Sequence, residues 1–255
     1  HDVIRRQRQM CIRDSNNIDE YLKDLKNALT KEHKRYGEVG VLKNGKRIQI
    51  NTSIIQIENE YYSSIRPKRV TPSGERPINI LRNEGIDYVE IRALDNNSFL
   101  PSGIDEDTSY FLEAYLIGCF FGENRKSSQD EIKELLFNWE NVVKEGRNPD
   151  LKILKNKEKI TVKDSGMKVI DSLREVFELM PSEMSGYVEK VMKSLNKQEE
   201  KLNDASLTPS GRIVSELQNN NKTWEELNLE LAGKHSQSFK RIESDLNYLL
   251  REAKS

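Results

Sequence analysis

The hydrophobic spacing of this chain changes period near Asp105, and that change limits what it can fold into. Before it, the residues Ile86-Asp-Tyr-Val-Glu-Ile-Arg-Ala-Leu-Asp95 alternate with period two. After it, apolar residues recur at three and four positions, the spacing of helices. A strand-bearing part followed by a helical part is the signature of an α+β fold. Within the alternating run, Val89, Ile91 and Ala93 fall on one face of a strand, and Tyr88, Glu90 and Arg92 fall on the other. An apolar strand face is normally buried. The opposite face then presents an acid beside a base. A carboxylate can hold a divalent cation, and a guanidinium can hold a phosphate or carboxylate. The same spacing also fits an ordinary surface ion pair.

Composition narrows the class. The 255 residues are 35 % hydrophobic and 33 % charged, with a net charge of −1, so charge makes no case for nucleic acid or a membrane surface. No apolar run approaches the ~20 residues of a membrane span. Of two cysteines, Cys11 lies near the start, and Cys119 lies in the apolar run Tyr115-Leu-Ile-Gly-Cys-Phe-Phe121, where a buried, unreactive thiol is expected. This usage points to a reducing compartment, hence the cytoplasm.

Along the chain, Ile18 to Tyr36 reads as one amphipathic helix, with Ile18, Tyr21, Leu22, Leu25 and Leu29 on its apolar side and His33 near its end, solvated or complementing the helix dipole. Asn44-Gly45 marks a hairpin turn, because a type I′ turn needs two positive φ angles. Its second strand is expected to continue through Ile54 to Tyr62. With residues 71–85 as a connecting loop rich in Pro and Gly, all of 39–95 reads as antiparallel sheet. Thr108 to Gly122 is apolar nearly all round and is expected to be a buried helix. Ser128 to Gly146 reads as an amphipathic helix opened by a Ser128–Glu131 capping box, with Ile132, Leu135, Leu136, Trp139 and Val143 facing a core. Helices over 164–180 and 184–203 flank Pro181. A long last helix carries Trp224, Leu227, Leu231, Phe239, Ile242, Leu246 and Leu249 as its stripe, with His235 in a structural role.

Two stretches carry more than periodicity. The string Gln56-Ile-Glu-Asn-Glu-x-Tyr62-x-x-Ile-Arg-Pro-Lys-Arg69, followed by Gly85-Ile-Asp-Tyr-Val-Glu-Ile-Arg-Ala-Leu-Asp95, resembles glutamate–cysteine ligases of the proteobacterial type. The resemblance continues in Asn138-Trp139 and Glu145-Gly-Arg-x-Pro149, with a weaker echo in Leu207-Thr-Pro-Ser-Gly-Arg212. It runs over roughly residues 17–255 and corresponds to the C-terminal half of the family.

The resemblance implies part of a glutamine-synthetase-like antiparallel catalytic sheet, residues 16–104 with a leading helix, followed by a helical C-terminal region, 105–255. It implies an ATP-dependent ligase that joins the γ-carboxylate of L-glutamate to the amino group of L-cysteine through γ-glutamyl phosphate, the first step towards glutathione. Glu90 then matches a magnesium ligand. Arg92 matches the residue that contacts the transferred phosphoryl group and the glutamate side, and Tyr62 matches the tyrosine that helps close the cysteine pocket. Magnesium and ATP are the implied cofactor and co-substrate. The full-length protein is expected to be a monomer without nucleic-acid or membrane partners.

Glu58 and Glu60 share a strand face in this reading, as site or supporting residues. Arg66, Lys68 and Arg69 either attract nucleotide phosphates or are ion-paired. The family's upstream acidic ligands and its Arg-Met-Ser-Asp-x-Gly-Tyr segment have no counterpart here, so the chain is expected to be an inactive fragment. Residues 1–15 resemble a translated sequencing-adapter remnant, with a basic targeting or nucleic-acid arm as the other reading. Two competing functions remain: a non-catalytic helical interaction module, and another ATP-dependent carboxylate–amine ligase.

Overall fold

Asn17 starts the first helix: its side chain accepts a hydrogen bond from the Glu20 amide, and Asp19 and Glu20 complement the helix dipole. The computed structural model describes residues 16–61, 63–122 and 125–252, with side chains described as far as 239. Residues 1–15, read above as an adapter remnant or a basic arm, lie outside them, as does Tyr62. The chain divides into two units, His1–Leu94 with Lys126–Leu136, and Asp95–Arg125 with Phe137–Ser255. The fold is α+β, as the change of period requires.

In the first unit, α1 (Ile18–Thr30) buries Tyr21, Leu22, Leu25 and Ala28 against Ile55, Tyr61, Ile78 and Leu81. The helix stops at Thr30 instead of reaching Tyr36. The Ile54 amide donates to the Lys31 carbonyl and the His33 amide to the Thr52 carbonyl, which brings 52–55 alongside and drives Ile55 fully into the core. The chain then re-enters a helix, α2 (Lys34–Val39), with His33 partly buried at its start, where a histidine solvated or complementing the dipole near a helix end was expected.

The Asn44-Gly45 turn is as expected. The two residues have φ of 51° and 73° and join β1 (Leu42–Lys43) to β2 (Lys46–Arg47). The second strand does not run on to residue 62. Side-chain amides take over its partners: Gln49 donates to the carbonyls of Tyr36 and Gly40, and Gln56 accepts from the Ile50 amide. Glu58–Glu60 is a single 3-10 turn. Residues 71–85 are not all loop either, because Pro77–Glu84 forms α3. The Pro and Gly that suggested a loop are its punctuation, Pro77 at the first helical position and Gly85 (φ 80°) just past the end. The continuous sheet expected over 39–95 is therefore two separate ribbons. The second pairs β3 (Ile65–Lys68) with β4 (Tyr88–Ile91), antiparallel. Its apolar side is not sealed, and Val89 is 40 % exposed.

The second unit is built on α4 (Glu106–Phe121), α6 (Val162–Glu178) and α7 (Ser185–Asn203), whose core is Ala114, Ile170, Leu173, Phe177, Val191 and Leu195. Asp105 caps α4 by accepting from the Thr108 amide, and Thr161 caps α6 by accepting from the Asp164 amide. At Gly118 a Cβ would lie 2.2 Å from Leu173 Cδ2, so glycine sets how closely α4 and α6 approach. The all-round burial expected of α4 is not found. It buries Ala114 but leaves Phe120 83 % exposed, and Cys119 is exposed where a buried thiol was expected.

Helix α5 (Gln129–Glu145) opens with the expected capping box: the Glu131 amide donates to Ser128 Oγ and the Ser128 amide to Glu131 Oε2. Its apolar stripe is fully buried only at Ile132 and partly at Leu136, while Leu135, Trp139 and Val143 stand exposed.

A hairpin interrupts the stretch read as wholly helical: β5 (Lys152–Lys155) and β6 (Glu158–Thr161) meet at Asn156 and Lys157, with φ of 54° and 68°. Pro181 separates α6 from α7, as the sequence indicated. Helix α8 (Pro209–Asn219) starts at a Thr208 cap, and α9 (Trp224–Glu252) follows. Leu227 and Leu231 of α9 are buried, while Trp224 and Phe239 are half-exposed. Ile242, Leu246 and Leu249 lie beyond the described side chains. His235 Nε2 meets the Ser98 carbonyl at 2.9 Å, a structural contact.

Candidate functional site

Strand β4 holds Glu90 on the side expected from its alternation, and β3 decides what surrounds it. Register places Arg66 directly across from Glu90, and Lys68 across from Tyr88. Arg66 Nη1 lies 3.9 Å and Lys68 Nζ 3.6 Å from Glu90 Oε2, and Arg92 Nε lies 3.5 Å from Oε1. One carboxylate thus has three cations around it. All three contacts exceed the ~2.7–2.9 Å of a charge-assisted hydrogen bond. Glu90 Oε2 and Arg66 Nε are buried and have no hydrogen-bond partner among the described residues. Positive charge exceeds negative in this cluster, an arrangement that favours binding of an anion.

Arg66 is the most enclosed of the group, its side chain 12 % exposed. Its guanidinium carbon sits 6.0 Å from the centre of the Tyr61 ring, within cation–π range. It also acts on the buried Tyr21 hydroxyl, whose pKa is pushed up to about 12, chiefly by burial and then by the Tyr61 hydroxyl, with Arg66 pulling it down. The Arg92 amide donates to the Ser64 carbonyl at 2.7 Å, which extends the β3–β4 pairing as far as Arg92.

The other candidates separate by role. Glu58 is buried. It accepts from the Ile78 amide at 3.0 Å and from Arg76 Nε at 2.8 Å, so it closes the amino end of α3. Glu60 accepts from the Gln56 amide at 2.7 Å, inside a turn and not on a strand face. Arg69 binds the Glu84 carboxylate and carbonyl, both at 3.0 Å, and reaches Asp87 at 3.5 Å. Arg69 is thus ion-paired and joins β3 to the end of α3, while Arg66 and Lys68 face Glu90. Tyr62 lies outside the described residues. The convergence of Arg66 and Lys68 on Glu90 depends on register, which two short strands 20 residues apart do not reveal.

A magnesium ion asks for about six oxygen ligands in octahedral order. The unpartnered Glu90 Oε2 suits one of those positions. No group of three or more His, Cys, Asp or Glu among the described residues can hold a metal. The donor set described here therefore does not amount to a magnesium site.

Comparison with known proteins gives this arrangement a context. The family model described as glutamate-cysteine ligase matches residues 4–142. The glutamate–cysteine ligase of Pseudomonas putida is 37 % identical over 225 residues, 88 % of this chain and 42 % of that protein. That of Janthinobacterium is 35 % identical over the same lengths. The chain thus spans less than half the length of the relatives it matches. In structure it resembles the glutamate–cysteine ligase of Francisella tularensis solved in complex with AMP, with a TM-score of 0.81 and 36 % identity over 91 % of this chain and 46 % of that one. A bifunctional glutathione synthetase from Pasteurella multocida shares the fold, with a TM-score of 0.57 at 17 % identity.

Proposed function

Because the chain belongs to the glutamate–cysteine ligase family, we propose that it supplies the Glu90–Arg92 strand of an enzyme that uses ATP to join the γ-carboxylate of glutamate to the amino group of cysteine. The observation that carries this reading is the cluster on β3 and β4, one carboxylate among Arg66, Lys68 and Arg92. It stands at the positions that match the family motif.

The chemistry suits such a cluster. ATP passes its terminal phosphoryl group to the glutamate γ-carboxylate, giving γ-glutamyl phosphate and ADP. The cysteine amine then attacks the acyl carbon, the amide forms, and phosphate leaves. Both steps are helped mainly by positioning and by neutralising oxygen charge. Arg92, whose Nε lies 3.5 Å from Glu90 Oε1, is assigned to the phosphoryl oxygens. Lys68 and Arg66 add positive potential. Tyr62 is assigned to the cysteine pocket.

Magnesium, when bound, would shield the phosphate charge, and Glu90 is the ligand this chain offers it. Three cations beside Glu90 oppose a dication at the same place. Because the donor set is incomplete, we assign catalysis to a full-length ligase and none to this chain alone. We also assign the protein to the cytoplasm, as its sparse cysteines suggest. No helix among the described residues is long and apolar enough to cross a membrane.

The test is ADP release by a full-length ligase that carries this chain, with glutamate, cysteine, ATP and magnesium. Residues 16–255 alone are expected to release none. A folded full-length protein that makes no γ-glutamylcysteine would overturn the reading.

A further inference from the structure

Two of the sequence patches that resemble the family take no part in the Glu90 cluster. Glu145-Gly-Arg-x-Pro149 and Leu207-Thr-Pro lie some 60 residues apart, yet Gly146 to Pro149 and Thr208 line one cavity of about 380 Å³ in the second unit. Its floor is apolar: Ile170, 2 % exposed, belongs to the core, and Phe111 and Leu202 pack against that core. Its charged residues are all basic: Arg147, Lys163 and Lys201. No aspartate or glutamate lines it, although acids slightly outnumber bases in the whole chain.

Each cation arrives from a different element. Arg147 follows α5, Lys163 stands in the first turn of α6, and Lys201 lies near the end of α7. Lys201 lies 3.5 Å from Gln198 Oε1 and feels the charge of Asp105. Arg147 and Lys163 make no ion pair among the described residues. The first turn of α6 adds the partial positive charge of a helix start.

We propose that this cavity binds a small amphipathic carboxylate, an anionic head joined to an apolar tail. An apolar floor in a cavity of this volume suits the tail of a small organic molecule, and the polar residues that also line it suit a charged head. Three cations in the lining, with no carboxylate in it, select an anionic head. The tail would lie against Phe111, Ile170 and Leu202, and the head would meet Arg147 and Lys163. The cavity lies within one unit and shares no residue with the Glu90 cluster, so it does not rest on the ligase reading.

The experiment is calorimetric titration of the chain with decanoate and, separately, with decanol. Saturable one-to-one binding of decanoate is expected, at least about tenfold tighter than decanol, the factor that one charge-assisted contact supplies. The double variant Arg147→Gln/Lys163→Gln changes two exposed side chains, and its helical circular dichroism and melting should match the parent. It should weaken decanoate about tenfold or more while leaving decanol unchanged. Equal affinity for both ligands, binding without saturation, or decanoate affinity unaltered in a folded double variant would each overturn the proposal.

Discussion

Arg66 stands directly opposite Glu90 in the β3–β4 ribbon, with Nη1 3.9 Å from Glu90 Oε2, yet neither Arg66 Nε nor Glu90 Oε2 has a hydrogen-bond partner among the described residues. A buried donor and acceptor left short of partners cost stability, on the order of 1–3 kcal/mol each. Nucleotide phosphate beside Arg66 and a cation on Glu90 would supply what each lacks.

Arg92→Ala in a full-length ligase should therefore lower kcat/KM by ~2–4 kcal/mol of transition-state stabilisation, with ADP release as the readout. Glu90→Gln should raise the magnesium concentration needed for half-maximal rate. Near-normal turnover in both variants would leave the cluster a surface ion pair and nothing more.

What was legible in the sequence was what depends on neighbours in the chain. The Asn44-Gly45 turn, the Ser128–Glu131 capping box and the Pro181 break all rest on residues within four positions of one another. The elements that were missed depend on distant partners. Alternation around Glu58 and Glu60 suggested a strand, but Glu58 turns towards Arg76 and Ile78, some 20 residues on. Asn138-Trp139 was visible as a pattern, but not that Asn138 serves a hairpin 16 residues away. In α4 and α5, apolar residues correctly marked helices but not their burial. Burial requires a facing surface, and the described residues provide one only in part. In the site, Glu90 and Arg92 were readable from alternation and Arg66 and Lys68 as basic candidates, whereas the convergence of those two on Glu90 came through register alone.

Glu58→Ala should destabilise the first unit. It removes a buried carboxylate that accepts from the Ile78 amide and pairs with Arg76, so α3 loses its amino-end acceptor. Comparable helix-start acceptors contribute about 0.5–2 kcal/mol. Thermal unfolding should register the loss, whereas substrate KM values in a full-length ligase should stay within about twofold, since a fold-wide change of ~0.4 kcal/mol is twofold. A selective rise in the KM for one substrate, with unchanged melting, would return Glu58 to the site.

Asn138 meets both backbone groups of Leu154: its amide donates to the Leu154 carbonyl at 2.7 Å, and its oxygen accepts from the Leu154 amide at 2.7 Å. The side chain thus acts as a short strand along β5. Asn138→Asp keeps the shape but sets a carboxylate oxygen against the Leu154 carbonyl. A cost of about 1–3 kcal/mol is expected. Hydrogen exchange at the Leu154 amide should accelerate in Asn138→Leu more than at any amide of α7. Unchanged exchange at Leu154 would mean that the hairpin stands without the clamp.

Tyr21 gives the first unit an alkaline limit. Its pKa in the folded chain is raised to about 12, first by burial and then by the Tyr61 hydroxyl. An unfolded tyrosine titrates near ~10. The folded state therefore holds its proton over a range where the unfolded state has lost it. The resulting contribution is complete below pH ~10 and is lost as pH rises from ~10 to ~12, reaching on the order of 1–3 kcal/mol. Tyr21→Phe has no proton to lose. Its melting temperature should fall less than the parent's between pH 9 and pH 11.5, although the variant forgoes the hydroxyl's contact with Arg66 at every pH. Tyr187 in the second unit is also raised to about 12, by burial and then by Glu113, so a residual alkaline loss is expected in the variant. An identical fall in parent and Tyr21→Phe would show that Tyr21 ionises as freely in the fold as in water.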